Sequence, residues 1–270
     1  MSSSKTHRVK KPKAPPKKME FYGNISGDSP LSVAVSQVFD KYRSKDQKDT
    51  ITIEDAMRYL NDLNVALDEP VVLALSDFLS CPTLGEFTRE NFITGWSDAS
   101  KESSKPLDTL AKQAAYLTTL RKQLKTDPVY FKKIYRASFQ FAKPEGQRSV
   151  PTDAAVEFWR MFFQASTGGI DWKTPTSPNT PWLDLWIEFY NSQHKRPVNK
   201  DLWNMVGELM LKTIERDGEK LEWYKEDGAW PMAIDEFIAW AKEQREEIGA
   251  VATAETVGGG TDGANDVEMT

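Results

Sequence analysis

The sequence has few of the residues on which disulfide frameworks, metal sites and many catalytic centres depend. Among 270 residues there is one cysteine, Cys81, and there are two histidines, His7 and His194. A single cysteine excludes an intramolecular disulfide, and the two histidines lack the spacing of a metal-binding pair. We therefore expect neither a metal ion nor an organic cofactor.

Several patterns with a defined function are also missing. No apolar run is long enough to span a membrane, and the N-terminus lacks the apolar core of a signal peptide. The chain has no glycine-rich phosphate loop ending in lysine and no Gly-x-Ser-x-Gly sequence around a nucleophilic serine. We therefore expect no membrane partner and no catalytic residues, which is the pattern of a protein that is not an enzyme.

Charge is distributed unevenly along the chain. Residues 1–18 contain seven lysines and arginines and no acid, and because the whole chain has a net charge of −5, the remaining residues carry −12. An acidic body disfavours a nucleic-acid partner and favours a basic protein partner. The basic segment cannot bury apolar area, so residues 1–24 are predicted to be a disordered tail.

The basic tail has two interpretations, a solubilising arm or a nuclear-import signal. The second interpretation places the protein in both nucleus and cytoplasm. At the other end, residues 249–270 are rich in glycine, alanine and threonine and lack helical periodicity, which predicts a second disordered tail.

Between the tails, residues 25–248 have apolar residues at helical spacing, which predicts an all-α domain. The Ser/Lys-rich step Ser100–Pro106 divides this domain into an N-terminal lobe, about residues 25–105, and a C-terminal lobe, about residues 106–248. In the N-terminal lobe one apolar stripe is formed by Ile53, Met57, Tyr59, Leu60 and Leu63.

The N-terminal lobe is predicted to be a pair of helix–loop–helix units like calcium-binding hands, with the last helix beginning at Phe87. A calcium loop needs oxygen ligands at alternating positions, a glycine at its sharp turn and a terminal glutamate. The candidate loop Ser44–Asp55 has lysines among these positions and no glycine. We therefore predict a degenerate hand that keeps the geometry, including a short strand at Ile51–Ile53, without the metal.

In the C-terminal lobe the pattern predicts a helix that Pro128 ends, followed by helices over Val129–Phe141 and Thr152–Phe163. Glycine, threonine and proline then predict a long loop over Ala165–Pro181, whose length is typical of functional or mobile loops.

Two helix starts near the C-terminus carry aspartates. Asp201 lies in the first turn of one predicted helix, and Pro231 suits the first turn of the next, which also contains Asp235. An anion is favoured at a helix start, so by themselves these acids indicate no more than solvated first turns.

Several tryptophan-rich motifs occur in a fixed order, namely Trp182-Leu-Asp-Leu-Trp186, His194-Lys195, Lys200-Asp-Leu-Trp-Asn204 and Asp227-Gly-Ala-Trp-Pro231 with Ile234-Asp-Glu-Phe237. These motifs resemble the potentiating-neddylation domain of the defective-in-cullin-neddylation family, and the resemblance extends over about residues 28–248. It implies a non-catalytic scaffold that helps to transfer a ubiquitin-like modifier to a cullin lysine and thereby regulates cullin-RING ubiquitin ligases.

The resemblance also implies particular partners and sites. The C-terminal winged-helix domain of a cullin is expected to bind at Asp201, Ala229 and Asp235. The N-acetylated methionine of the neddylation conjugating enzyme is expected to occupy a pocket, and the matching residues are Val72, Leu75, Ser76, Phe87, Phe141, Phe158 and Met161.

The cullin-associated RING protein is left open as a further partner. Because residues 1–24 are short and basic, the chain resembles the fungal type of this family without its N-terminal ubiquitin-binding module, and ubiquitin binding through that module is not expected.

Two functions from other classes stay open at this point. A calcium-sensing helical adaptor would use the loop Ser44–Asp55. A thioester-forming ligase would use Cys81 as its nucleophile, although no histidine lies near Cys81 in the sequence and a free cysteine is usually a small buried apolar residue.

Overall fold

The computed structural model describes residues 29–174, 180–216, 221, 223–225 and 228–244. The helices of the first half are α1 (Pro30–Tyr42), α2 (Ile53–Asp62), α3 (Pro70–Phe78), α4 (Arg89–Glu102) and α5 (Leu110–Thr126). Those of the second half are α6 (Pro128–Ala142), α7 (Thr152–Phe163), α8 (Trp182–Phe189), α9 (Lys200–Arg216) and α10 (residues 232–244), with a π-helical turn at Tyr190–His194. The predicted all-α class is confirmed.

Two pairs of short antiparallel strands join the helices. In the first pair β1 (Thr50–Ile51) pairs with β2 (Phe87–Thr88), and in the second β3 (Ser149–Val150) pairs with β4 (Val198–Asn199). The strand predicted at Ile51–Ile53 is therefore present but begins and ends earlier. Phe87 was predicted to begin a helix, and this is wrong: it pairs with Ile51, and α4 begins at Arg89.

The stripe predicted on α2 is wrong at its start. Ile53 and Met57 are 59% and 38% exposed, whereas Tyr59 and Leu60 are buried. The buried face also contains Ala56, so α2 is rotated relative to the prediction. Since the apolar residues of α2 cover more than one face, their spacing alone left this rotation undetermined.

Asp127 separates α5 from α6. Its carboxylate Oδ1 accepts hydrogen bonds from the backbone nitrogens of Val129 and Tyr130, at 2.9 and 3.1 Å, and Pro128 occupies the first helical position. An acceptor side chain at the cap and proline directly after it are the signals that start a helix. Asp127 is therefore the one residue between the end of α5 and the start of α6.

Aromatic rings fill the core of the second half of the chain. Six of the nine tryptophans in the sequence are buried, and five of these six lie in the second half of the chain. Part of the predicted loop Ala165–Pro181 also belongs to this core: Trp172 is buried and its indole nitrogen donates to the hydroxyl of Thr213 at 2.6 Å. Residues 175–179 of the loop lie outside the described residues.

The division into lobes and tails stays a prediction. The predicted tails, residues 1–24 and 249–270, lie outside the described residues. Within the described part of the chain, none of the helices combines the length and the apolar character needed to cross a membrane.

Candidate functional site

Asp201 is the second residue of α9 and is exposed. The first turn of α9 is capped by another side chain, because Asn199 Oδ1 accepts from the backbone nitrogen of Leu202 at 2.8 Å. The carboxylate of Asp201 has no hydrogen bond or ion pair with any other residue in the described ranges. Its carboxylate is therefore available to a partner, with the positive end of the α9 dipole behind it.

Asp235 lies in the first turn of α10, where the carbonyl of Pro231 accepts from the backbone nitrogens of Ile234 and Asp235 at 2.8 and 3.3 Å. Asp235 is half-buried, and the hydroxyl of Tyr224 donates to its Oδ1. Partial burial, and next the charge of Glu236, raise the pKa of the Asp235 carboxyl. The sequence predicted a solvated acid and did not reveal Tyr224 as its partner.

Ala229 is exposed and precedes a half-buried tryptophan. The ring of Trp230 is covered by Lys212 of α9, whose Nζ lies 4.9 Å from the ring centroid, a cation–π contact. This contact fixes the segment that carries Ala229 against α9. A methyl side chain at position 229 leaves room for a partner to approach the backbone.

Glu236 connects α10 to the chain that leads into α9. Its Oε2 lies 3.3 Å from Nδ1 of His194, which forms an ion pair when the imidazole is protonated. We call Asp201, Ala229, Asp235 and Glu236 the acidic surface. No local pattern marks the pairing of His194 with Glu236, because the two residues are 42 positions apart.

A cavity of about 700 Å³ lies between α3 and α6, and we call it the α3–α6 cavity. Of the residues predicted for the methionine pocket, Ser76 and Phe141 line it. The other lining residues are Asp77, Ser80, Cys81, Pro82, Thr83, Leu84, Ala137, Gln140, Lys143 and Glu145.

The remaining predicted pocket residues lie elsewhere. Val72, Leu75 and Phe87 belong to the buried core. Phe158 and Met161 are half-buried on α7, where the ring of Phe158 packs 5.7 Å from Trp203. The structure therefore brings two of the predicted residues to the cavity wall and distributes the others over the core and α7.

Cys81 faces the same cavity but is mostly buried. Burial raises the pKa of its thiol to about 12. Because the thiolate is the nucleophilic form, a thiol with this pKa is a poor nucleophile near neutral pH.

In the loop Ser44–Asp55, which was predicted to be a degenerate calcium loop, side chains of the loop form hydrogen bonds with one another. The hydroxyl of Ser44 donates to Asp55 Oδ2, and the hydroxyl of Thr52 donates to the same oxygen at 3.1 Å. The bond from Ser44, and next that from Arg58, lowers the pKa of the Asp55 carboxyl. Across the described ranges, no group of three or more His, Cys, Asp or Glu residues has a geometry that could hold a metal ion.

Comparison with known proteins relates this helical fold to one family. A family model described as "Cullin binding" matches residues 112–240. The protein "Defective in cullin neddylation protein 1" of Yarrowia lipolytica is 36% identical over 208 residues, which cover 77% of this chain and 78% of the relative.

Two further relatives extend the comparison. The protein with the same description from Cryptococcus neoformans is 32% identical over 239 residues, covering 83% and 82% of the two chains. The human "DCN1-like protein 3" is 32% identical over 220 residues, covering 80% of this chain and 64% of the relative. The chain belongs to the defective-in-cullin-neddylation family.

Proposed function

We propose that this protein is a scaffold for cullin neddylation, which binds a cullin and the neddylation conjugating enzyme together. The observation that carries the proposal is the acidic surface, which lies within the residues matched by the cullin-binding family model. The names of the related proteins, which refer to cullin neddylation, support the same function. The cullin-associated RING protein would be a third component of the assembly.

The cullin would bind through its C-terminal winged-helix domain. Asp201 is unpaired within the described ranges, so its carboxylate is available to a partner, and the Asp235 carboxylate is already oriented by Tyr224. Lysine or arginine side chains of the cullin would form charge-assisted hydrogen bonds with them, which are stronger than neutral bonds and depend on orientation. Ala229 would allow close approach of the two surfaces.

The conjugating enzyme would bind through its N-terminus in the α3–α6 cavity. Acetylation removes the positive charge of the terminal amine, which lowers the cost of burying the methionine against the apolar wall residues Leu84, Ala137 and Phe141. Burying one methionine side chain contributes about 1.5–3 kcal/mol, and the rest of the affinity would come from the residues that follow it.

The chemistry belongs to the partners. The amine of a cullin lysine attacks the carbonyl carbon of the thioester; a C–N bond forms, the C–S bond breaks, and the cysteine thiolate of the conjugating enzyme leaves and takes up a proton lost by the amine. The scaffold increases the rate by holding the two reactants in a productive orientation. Cys81, whose pKa is raised to about 12, would take no part in the transfer.

A reconstituted transfer assay tests this proposal. Conjugating enzyme already loaded with the modifier is mixed with a cullin–RING complex, and the single-turnover rate of modified cullin is measured with and without the protein. We expect a large increase with the wild-type protein and little increase with Asp201→Lys/Asp235→Lys. An equal rate with and without the wild-type protein contradicts the proposed function.

The cavity is tested with a peptide from the N-terminus of the conjugating enzyme, in acetylated and free forms. The variant is Phe141→Ala, because Phe141 is half-buried at the cavity wall, whereas Leu75 has no exposure and its replacement would disturb the core. We expect tighter binding of the acetylated peptide and loss of that preference in Phe141→Ala. Phe158→Ala on α7 removes a second aromatic residue that was expected in the pocket, and loss of the preference in this variant alone would place the peptide against α7.

We also propose that the protein occupies both nucleus and cytoplasm, on the basis of the seven positive charges in residues 1–18. A fluorescent fusion in which these residues are replaced by an uncharged sequence should shift towards the cytoplasm, and an unchanged distribution contradicts an import signal.

A further inference from the structure

Helix α6 connects the two candidate binding surfaces. Near its C-terminal end, Gln140 and Phe141 line the α3–α6 cavity, and its middle packs against α9, whose first turn carries Asp201. Tyr135 precedes Phe141 by six residues and Gly207 follows Asp201 by six, which is about 9 Å along a helix in each case. A change in the contact between these two helices would therefore move one surface relative to the other.

The two helices approach so closely at Gly207 that a side chain has no room there. A Cβ atom at this position would lie 2.6 Å from Cδ1 and 2.6 Å from Cε1 of the Tyr135 ring. Glycine in the middle of a helix destabilises that helix relative to alanine. At Gly207, glycine allows α9 to pack directly against the ring of Tyr135.

The ring of Tyr135 is fixed from several sides and has little freedom to move away. It stacks on Trp203 with centroids 5.4 Å apart and packs edge-on against Phe162 at 5.1 Å. The indole nitrogen of Trp203 donates to the carbonyl of Tyr135 at 2.9 Å, and that of Trp159 donates to its hydroxyl at 3.2 Å.

Two ion pairs close the outer edge of the same contact. Glu208 of α9 lies 2.9 Å from Lys132 and 2.8 Å from Arg136, both on α6, and its side chain is only 16% exposed. We call Tyr135, Trp203, Gly207 and Glu208 the α6–α9 seam. It combines a ring stack, a hydrogen bond, a close backbone approach and two ion pairs in about two turns of helix.

We propose that Tyr135 and Gly207 are positioning residues that fix the separation and orientation of the acidic surface relative to the α3–α6 cavity. The inference rests on the proposed scaffold function and adds to it, because both residues are buried and belong to neither binding surface. Transfer by a scaffold depends on alignment, and a misplacement of about 1 Å can cost about a hundredfold in rate. A wedge in the α6–α9 seam should therefore slow the transfer step without weakening either partner's binding.

The test uses the full chain with Gly207→Ala. Overpacking against the fixed Tyr135 ring outweighs the better helix propensity of alanine, so we expect a folded protein whose melting temperature is a few degrees below that of the wild type. Affinities for the cullin and for the acetylated peptide should stay within about twofold, and the transfer rate at saturating concentrations of both partners should fall about tenfold. Glu215→Ala on the exposed side of α9 is the control for altered helix propensity and should leave this rate unchanged.

Glu208→Gln is the second variant, since it removes both ion pairs without adding volume. It should lower the transfer rate at saturating partner concentrations less than Gly207→Ala does, again with unchanged affinities. If Gly207→Ala does not fold, Glu208→Gln alone tests the role of the α6–α9 seam. A wild-type rate at saturation in folded variants overturns the role of the α6–α9 seam and leaves the scaffold function standing. A loss of rate that saturating partners restore also overturns it, and failure of the wild type to stimulate transfer removes both proposals.

Discussion

Reversing the charges of Asp201 and Asp235 should eliminate cullin binding while the protein stays folded. If each aspartate makes one charge-assisted hydrogen bond to the cullin, each contributes about 1.5–3 kcal/mol. Loss of both bonds would weaken binding by about a hundredfold to ten-thousandfold, and repulsion between the new lysines and a basic partner would add to this.

The cost to the fold is much smaller and differs between the two positions. Asp201 is exposed and unpaired within the described ranges, so its reversal costs mainly the interaction with the helix dipole, about 0.3–1 kcal/mol. Asp235 also accepts a hydrogen bond from Tyr224, and losing that bond costs about 0.5–1.5 kcal/mol more. Together these costs are well below the free energy of unfolding of a typical domain, which is about 5–15 kcal/mol.

Calorimetric titration with the cullin C-terminal domain measures the affinity, and thermal unfolding measures the stability. The control carries Glu90→Lys and Asp153→Lys, which are exposed acids in the first turns of α4 and α7 and give the same change in net charge. Equal weakening in the control would assign the effect to net charge alone. Wild-type affinity in the folded double variant would falsify the assignment of the acidic surface.

Three further predictions concern the interior. Cys81→Ser should stimulate cullin modification as the wild type does, and a reducible adduct with the modifier that disappears together with the stimulation would support the thioester alternative instead. Because burial raises the pKa of Cys81 to about 12, above an unfolded value of about 8.5, the wild type should lose stability relative to Cys81→Ser as the pH rises between these values, as measured by denaturant unfolding. Trp172→Ala should lower the free energy of unfolding by about 3–5 kcal/mol, and a loss below about 1 kcal/mol would show that this loop packs weakly.

Regular helical periodicity accounts for most of what the sequence predicted correctly. The helices expected over Val129–Phe141 and Thr152–Phe163 are α6 and α7, with ends that differ by at most one residue. Pro128, which was predicted to end the preceding helix, is the first residue of α6. In α10 the apolar residues of the motif Ile234-Asp-Glu-Phe237 are buried, since Ile234 and Phe237 have no exposure.

Prediction failed where tertiary contacts outweigh a local pattern. Phe87 was predicted to begin a helix, but its pairing with Ile51 places it in a strand. Loop composition predicted the segment around Trp172 correctly as irregular, yet composition gives no sign that the indole is buried against α9. The wall of the α3–α6 cavity also combines residues that are far apart in the sequence, because Ser76 and Gln140 belong to different helices.

In a scaffold, the residues that contact a partner can be identified from the sequence, whereas the distance between the binding surfaces cannot. Motifs in the sequence identify the residues that would meet each partner, such as Asp201 and Asp235, because contact chemistry depends on residue type. The distance between the binding surfaces depends instead on contacts such as Tyr135 with Trp203, which are 68 residues apart in the chain. Since transfer requires alignment as well as binding, two proteins with the same motifs and a different α6–α9 seam should bind the same partners and differ in transfer rate.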